Sequence, residues 1–190
     1  MFVALVPPDD AVEHLDEFLA ARRDAGEFRW AASGQFHVTL AFLGSVEDRR
    51  VDELVERLGR AAARRTGFGV RVAGGGAFPN VGRARVLWAG LDLDAHGETE
   101  LGRLAVGARA AASRTGIAVD GQRFRPHITL ARLGHPAEVT SWVRLLDTYA
   151  GPSWVADRVV LIESHLGEGP RRTPRYEQVD DFRLGGAPRG

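Results

Sequence analysis

A nine-residue stretch, FHVTLAFLG at 36–44, recurs later in the chain in similar form as PHITLARLG at 126–134. The two copies lie 90 positions apart, and each carries a His, a spacer, a Thr and a Leu in the same order. Around each copy the apolar pattern predicts strand, helix, strand, helix, strand, so this order occurs twice. A repeat with a period near half the chain predicts two similar lobes, related by a pseudo-two-fold axis, that meet at a cleft.

The repeated motif places its polar side chains on one face of a strand. Strand side chains alternate, so His37 and Thr39 share a face while the aliphatic residues beside them point into a core. His127 and Thr129 repeat this arrangement in the second copy. A single His-x-Thr string is explained by two solvated residues on an edge strand. Packing does not explain why both His–Thr pairs are kept, and this favours a functional role.

Two imidazoles facing each other across a cleft are suited to acid–base chemistry, because one ring can be neutral and the other charged near neutral pH. The two Thr hydroxyls on the same surface are suited to holding phosphoryl oxygens. The spacing does not decide which histidine is the acid and which the base. A metal site is the weaker interpretation, since the sequence has no Cys and neither motif contains Asp or Glu. We therefore expect no metal and no other cofactor.

Composition narrows the classes of function further. Of the 190 residues, 25 are basic, all of them Arg, and 25 are acidic, so the net charge is zero. This balance argues against a protein that coats duplex DNA by charge alone, but it leaves room for a short phosphate ligand in a local basic cleft. The absence of an 18-residue apolar run and of a signal sequence predicts a cytoplasmic protein with no membrane association. A monomer is the default expectation.

Periodicity gives a coarse map of the elements. The predicted helices cover 12–19, 51–62, 101–112 and 139–146, with starts marked at Pro8–Asp9, Glu47–Asp48 and His135–Pro136. The predicted strands cover 2–6, 36–43, 68–72, 85–91, 128–133, 155–162 and 176–179. The glycine-rich stretch AGGGAFPN at 73–80 is predicted to be a loop or hinge.

Paired His-x-Thr-Leu motifs on duplicated lobes resemble the two-histidine (2H) phosphoesterases. The similarity is greatest to the bacterial and archaeal RNA 2′,3′-cyclic phosphodiesterases, once called 2′–5′ RNA ligases. It covers almost the whole chain and includes GGGAFPN, RVLWAG, FRPHITLARL and LIESHLGEGPRRTPRYEQV. One departure is that the family often has a basic residue before its first strand, where this chain has only Met1.

The resemblance implies an α+β, duplicated bilobal fold in which two antiparallel-rich sheets line a central cleft and the helices lie outside. It implies one domain over 1–184, with approximate repeats 1–78 and 79–184, followed by a flexible tail at 185–190. The lobes need not split cleanly in sequence, because the C-terminal strand can return to the first lobe.

The function that the resemblance implies is metal-independent hydrolysis of RNA 2′,3′-cyclic phosphate ends to 2′-phosphates. In that assignment His37 is the general acid at O3′ and His127 the general base, while Thr39 and Thr129 hold the phosphoryl oxygens. RNA ends or small cyclic nucleotides are then the partners. The alternatives are 2′–5′ RNA end joining, hydrolysis of another small cyclic phosphate, and a non-catalytic protein that binds RNA ends.

Two further substrate-binding candidates follow the motifs. Arg132 is a candidate for phosphate binding, although strict alternation places it on the face opposite His127 and it is one of many arginines. Phe42 is a candidate for stacking on a base, with core packing as the alternative. Arg85, Trp88 and Tyr176 are candidates for the rim of the cleft, although packing is the default for strand residues. Phe124 and Arg125 directly precede the second motif and are candidates for shaping its approach. The histidines expected to be solvated or structural are His14, His96, His135 and His165.

Overall fold

The structure is a computed structural model that describes residues 1–169 and 173–186. Within these residues the chain forms nine strands and four α-helices. The strands are β1 (Phe2–Leu5), β2 (Arg29–Trp30), β3 (Val38–Phe42), β4 (Phe68–Phe78), β5 (Ala84–Leu93), β6 (Ile128–Ala137), β7 (Ala150–Ala156), β8 (Arg158–His165) and β9 (Arg175–Arg183). The helices are α1 (Asp9–Ala20), α2 (Val51–Ala62), α3 (Ala95–Arg114) and α4 (Thr140–Leu146).

The strands form an antiparallel array in the order β7-β4-β5-β6-β3-β1-β8-β9, with the short β2 paired to β6. At its centre the array is joined by one residue pair, Val38 of β3 with Ile128 of β6. It therefore consists of two four-stranded halves, and the motif-bearing strands β3 and β6 meet where the halves join. The predicted α+β bilobal architecture is confirmed.

The two lobes exchange strands. β4 comes from the first half of the sequence but pairs with β5 and β7 in the second lobe. β8, near the C-terminus, pairs with β1 in the first lobe, and β9 extends that lobe beyond β8. The C-terminal strands do return to the first lobe, and each sequence repeat contributes strands to both lobes.

The helices bury the apolar stripes that the sequence predicts. Leu15 and Leu19 of α1 and Leu54 and Leu58 of α2 are each at most 2% exposed and belong to one continuous core. The predicted start of the fourth helix at His135–Pro136 is wrong, because β6 continues through these residues to Ala137. The helix begins at Thr140. The residue before it, Val139, donates its backbone N–H to the carbonyl of Val81.

The glycine-rich stretch is not the predicted loop, since β4 continues through it to Phe78. Its glycines make room for close packing. A Cβ at Gly76 would lie 2.3 Å from Cζ2 of Trp88, and one at Gly75 would lie 2.6 Å from Cδ1 of Leu146. Gly74, at φ 65°, lies within the irregularity that separates the two regular parts of β4. Gly75 and Gly76 are thus strand residues kept small by their neighbours, whereas Gly74 supplies a backbone conformation that other residues rarely adopt.

The end of the described chain is tied to the segment that follows α2. The N–H of Gly185 donates to the carbonyl of Arg65 at 2.8 Å, and the carbonyl of Gly186 accepts from Gly67 at 3.2 Å. The rest of the predicted tail, 187–190, lies outside the described residues. Among the helices that the structure describes, none is long and apolar enough to cross a membrane.

Candidate active site

His37 and His127 immediately precede β3 and β6, the two strands that meet at the centre of the array. Each ring makes the same bond, with Nδ1 2.7 Å from the carbonyl oxygen two residues earlier, that of Gln35 or of Arg125. A carbonyl only accepts, so each Nδ1 carries the hydrogen and each Nε2 keeps its lone pair in the neutral ring. The fold thus brings the two predicted histidines together in matching tautomers.

Aromatic rings enclose both imidazoles. Phe2 of β1 stacks on His37 with ring centroids 4.7 Å apart, and Tyr176 of β9 meets the same ring edge-on at 5.5 Å. On the other side of the pseudo-two-fold axis, Phe78 meets His127 edge-on at 4.9 Å. Trp88 also lies near that ring, with centroids 6.0 Å apart. The sequence offers Trp88 and Tyr176 as candidates for the rim of the cleft. Phe2 lies in a predicted strand and Phe78 in the stretch predicted to be a loop, and neither carries a sequence signal for the site.

Burial lowers the pKa of both imidazoles, because a charged ring loses hydration among these aromatic side chains. The carbonyl bonds at Nδ1 oppose this effect in each case. Nearby positive charge lowers both pKa values further. The charge of protonated His127 lowers the pKa of His37, and the charge of Arg132 lowers the pKa of His127. The free site therefore favours neutral rings, and a bound anion would favour protonation of one of them.

A β-bulge occurs at the same place in both motifs. In β3 the residues Thr39 and Ala41 face consecutive residues of β1, so Leu40 is the extra residue. In β6 the residues Thr129 and Ala131 face consecutive residues of β5 in the same way. The sequence signal is the Leu–Ala pair in each TLA triplet, since two adjacent buried residues break strict alternation.

The bulge returns the next side chain to the face that carries the His and the Thr. Arg132 is exposed, and its charge acts on both His127 and Tyr176. The expectation that Arg132 lies on the face opposite His127 is therefore wrong. Phe42 holds the corresponding place in the first motif, is 54% exposed and lies 6.1 Å from the Phe2 ring. The two candidates are thus pseudo-symmetric counterparts beside the histidines.

The threonines lie where the motif predicts. Thr39 lines the cleft, and Thr129 pairs in register with Trp88 of β5. Both side chains are partly exposed. Over residues 1–169 and 173–186, neither hydroxyl makes a hydrogen bond to another protein group. Both remain free to donate to a ligand.

A cleft of about 480 Å³ opens beside His127. Its walls include Thr39, Phe42 and Phe78, together with the segment 120–125 that precedes the second motif. Arg109 of α3, Arg123 and Arg125 also line it, and the Arg109 guanidinium donates to the carbonyl of Gln122 at 2.6 Å. In the described part of the chain none of these arginines, nor Arg132, has a carboxylate within 4.0 Å. The lining also includes Asp120, so three arginines stand against one carboxylate and the cleft is net positive toward an anion.

No group of three His, Asp or Glu side chains is placed to hold a metal ion among the residues that the structure describes. Three histidines outside the site have protein partners. His14 bonds to the Tyr149 hydroxyl at 3.0 Å, and His96 contacts the Thr66 hydroxyl at 3.2 Å. His165 lies 3.5 Å from a Glu177 carboxylate oxygen. The fourth, His135, is exposed on β6.

Comparison with known families decides the classification. The family model described as LigT like phosphoesterase matches residues 5–88 and 91–171. The chain belongs to this family. It is 30% identical over 161 residues to the RNA 2′,3′-cyclic phosphodiesterase of Aquifex aeolicus, an alignment that covers 83% of this chain and 82% of that protein.

Further similarities agree with this assignment. A Geobacillus stearothermophilus protein named RNA 2′,3′-cyclic phosphodiesterase is 29% identical over 192 residues, and the chain spans 58% of the length of that protein. A crystal structure of a Thermus thermophilus protein superposes with a TM-score of 0.78 at 28% identity, covering 97% of both chains. E. coli LigT complexed with 3′-AMP gives a TM-score of 0.76 at 26% identity, covering 96% of both chains.

Proposed function

We propose that this LigT-like protein hydrolyses RNA ends that carry a 2′,3′-cyclic phosphate, without a metal ion, and leaves a 2′-phosphate. The observation that carries the proposal is the matched pair of imidazoles, His37 and His127, each held through Nδ1 with its Nε2 available. The substrate class is supported by the relatives named RNA 2′,3′-cyclic phosphodiesterase. The net positive lining of the cleft supports an anionic ligand.

The reaction needs one proton acceptor and one proton donor. Nε2 of neutral His127 accepts a proton from water as the water oxygen bonds to phosphorus. The bond from phosphorus to O3′ breaks, and protonated Nε2 of His37 donates its proton to O3′, which leaves as the ribose hydroxyl. The two rings finish with exchanged protonation states, and proton exchange with solvent restores them.

The surrounding side chains have roles that fit their positions. The hydroxyls of Thr39 and Thr129 donate to the non-bridging phosphoryl oxygens, whose charge grows in the transition state. The Arg132 guanidinium adds positive charge beside the phosphate. The exposed ring of Phe42 supplies a surface for a base to stack on.

The lowered pKa values of the two rings fit an anionic substrate. A neutral His127 is ready to act as base, but His37 must be protonated before it acts as acid. A phosphodiester anion between the rings favours that protonation, because it places negative charge beside a half-buried imidazole. Substrate binding and proton uptake are then linked.

The test is incubation of the purified protein with cytidine 2′,3′-cyclic monophosphate in excess EDTA, with products identified by mass and by phosphorus NMR. We expect conversion to the 2′-phosphate at the rate seen without EDTA. Loss of activity in EDTA that a divalent ion restores would contradict metal independence. A 3′-phosphate product would contradict protonation of O3′. Ligation of added 5′-hydroxyl RNA would favour end joining, and tight binding without turnover would favour an RNA-end binder.

A further inference from the structure

A second large depression lies outside the active cleft, between α2 and α3. It has a volume of about 1020 Å³. Its lining includes six arginines, Arg57, Arg60, Arg64, Arg65, Arg103 and Arg114. Glu98 is the lone carboxylate among the described residues that line it. We call this depression the α2–α3 groove.

Small residues form the floor of the α2–α3 groove and leave it open. Ala61 of α2 and Gly102, Gly107 and Ala110 of α3 line it. A Cβ added at Gly102 would meet nothing within 4 Å, and one at Gly107 would meet only the Cβ of Ala61, at 3.5 Å. Longer side chains here would fill the space between the helices. The arginines therefore stand around a trough that a ligand can enter.

Buried Glu100 fixes two of these arginines. It is 5% exposed, accepts from the backbone N–H of Thr66 at 2.9 Å and binds Arg103 at 3.1 Å. Arg65 lies 3.6 Å from the same carboxylate. One carboxylate shared between two guanidinium groups leaves net positive charge in the groove. A buried anchor of this kind also holds both groups in place before a ligand arrives.

The remaining arginines add to this charge. Arg57 and Arg60 each pair with a glutamate one turn earlier on α2, and these exposed pairs are readily exchanged for another anion. Arg64 and Arg114 are exposed and have no carboxylate within 4.0 Å in the described part of the chain. The α3 arginines Arg103 and Arg114 span about 16 Å along the helix axis. The groove is suited to an extended anion with several charges.

α3 separates the α2–α3 groove from the active cleft. Arg109 lines the active cleft, and the next residue along the helix, Ala110, lines the groove. Consecutive residues of a helix project about 100° apart, so the two depressions lie on neighbouring faces of α3. Arg123 and Arg125 flank the cleft on the same side as Arg109. Basic side chains therefore line the part of the cleft that lies beside α3.

We propose that the α2–α3 groove binds the phosphate backbone of RNA upstream of the cyclic end held at His37 and His127. This rests on the proposed function. A chain of phosphodiesters attached to the reacting nucleotide crosses the C-terminal half of α3 and places its charges among the arginines. The contacts are to phosphates, so they add affinity without base specificity. A cyclic mononucleotide is too short to reach them.

The test compares a short and a long substrate in charge-reversal variants, Arg64→Glu and Arg114→Glu, singly and together. The matched control is Arg144→Glu, because Arg144 is also exposed and, like Arg114, lies in the last turn of its helix, here α4. For an RNA of about ten nucleotides with a 2′,3′-cyclic end, we expect the double variant to raise KM at least about tenfold with kcat unchanged. Cytidine 2′,3′-cyclic monophosphate should be hydrolysed as by the unaltered protein, and the control should match it on both substrates.

A binding assay separates this proposal from the proposed function. Fluorescence anisotropy with labelled RNA that ends in a 3′-phosphate, which is not a substrate, needs no turnover. The plot of log Kd against log salt should be shallower by about 0.7 for each phosphate contact that the variant loses. Unchanged KM and Kd in the double variant, or equal losses with the mononucleotide, would overturn the groove proposal. Intact, salt-sensitive RNA binding without hydrolysis of either substrate would overturn the proposed function alone.

Discussion

In each imidazole of the candidate site, Nδ1 donates to a backbone carbonyl two residues earlier, and this bond leaves Nε2 free of hydrogen in the neutral ring. The bonds from His37 to Gln35 and from His127 to Arg125 have the same length and the same place in each motif. The carbonyls belong to segments whose side chains differ, so the duplication has kept backbone geometry while the side chains changed. In the proposed reaction this equivalence would suit either ring to act as acid or as base, and the surroundings of each ring would set the direction of proton transfer.

If the two histidines act in one step, their replacements will not add. We expect His37→Ala, His127→Ala and the double variant to have similarly low kcat/KM on a cyclic nucleotide, because groups that act as a unit are strongly non-additive. His135→Ala is the matched control, since His135 is exposed on β6 outside the site. Normal rates in either single variant of the pair would show that the repeated motif is a remnant of duplication.

A substrate whose leaving group needs no protonation separates the two roles. With an aryl phosphodiester, His37→Ala should recover much of its activity, because the acid is then dispensable, whereas His127→Ala should remain inactive. Recovery in His127→Ala instead would exchange the assignment. The measurement is the ratio of rates on the aryl ester and on the cyclic nucleotide for each variant.

At the scale of elements, irregular strands shape the site more than regular ones do. The bulge of β3 turns Phe42 into the wall of the cleft, and the bulge of β6 turns Arg132 to the side of His127. In β4 the bare backbone of Gly76 lets the Trp88 ring lie flat against the strand, beside Phe78 and His127. The aromatic packing around His127 thus depends on the absence of a side chain at Gly76 of β4, the strand next to β5.

Gly76→Ala tests this dependence. The new Cβ would lie within 3 Å of three Trp88 ring atoms, so the indole must move, and we expect a loss of about 1–3 kcal/mol in the free energy of unfolding. The pKa of His127 should rise toward its ordinary value as its enclosure loosens. Gly69→Ala in the same strand is the control, because its Cβ would meet nothing within 4 Å. Equal effects in urea melts of both variants would contradict the packing argument.

The sequence predicted the elements and the site unevenly, for physical reasons. Helical stripes and the repeated motif depend on local periodicity, so α1, α2, the paired histidines and the paired threonines follow from the sequence. The prediction of a loop in the glycine-rich part of β4 is wrong, because the small residues there are required by contacts with Trp88 and Leu146, which are distant in sequence. The side on which Arg132 lies depends on a bulge, which strict alternation ignores although the Leu–Ala pair signals it.

At the scale of the whole molecule, the exchange of strands ties both histidines to both halves of the chain. His37 precedes β3 of the first lobe but is covered by Tyr176 of β9, near the C-terminus. His127 precedes β6 of the second lobe but is covered by Phe78 of β4, from the first half. Burial of the imidazoles is therefore a property of the assembled fold and is lost when the chain unfolds.

This burial predicts how stability depends on pH. Both rings have pKa values lowered mainly by burial, so the unfolded chain binds more protons than the folded one once the pH falls below about 6.5. Their contribution to stability is fully present above that pH and is lost as the pH falls through the folded pKa values. We expect Tm to drop less between pH 7.5 and 5.5 in the double variant His37→Gln/His127→Gln than in the unaltered protein.

Inorganic phosphate should reduce the drop in the unaltered protein, because an anion between the rings favours their protonation in the folded state. Parallel plots of Tm against pH for the two proteins, with and without phosphate, would contradict the lowering of the two imidazole pKa values by burial.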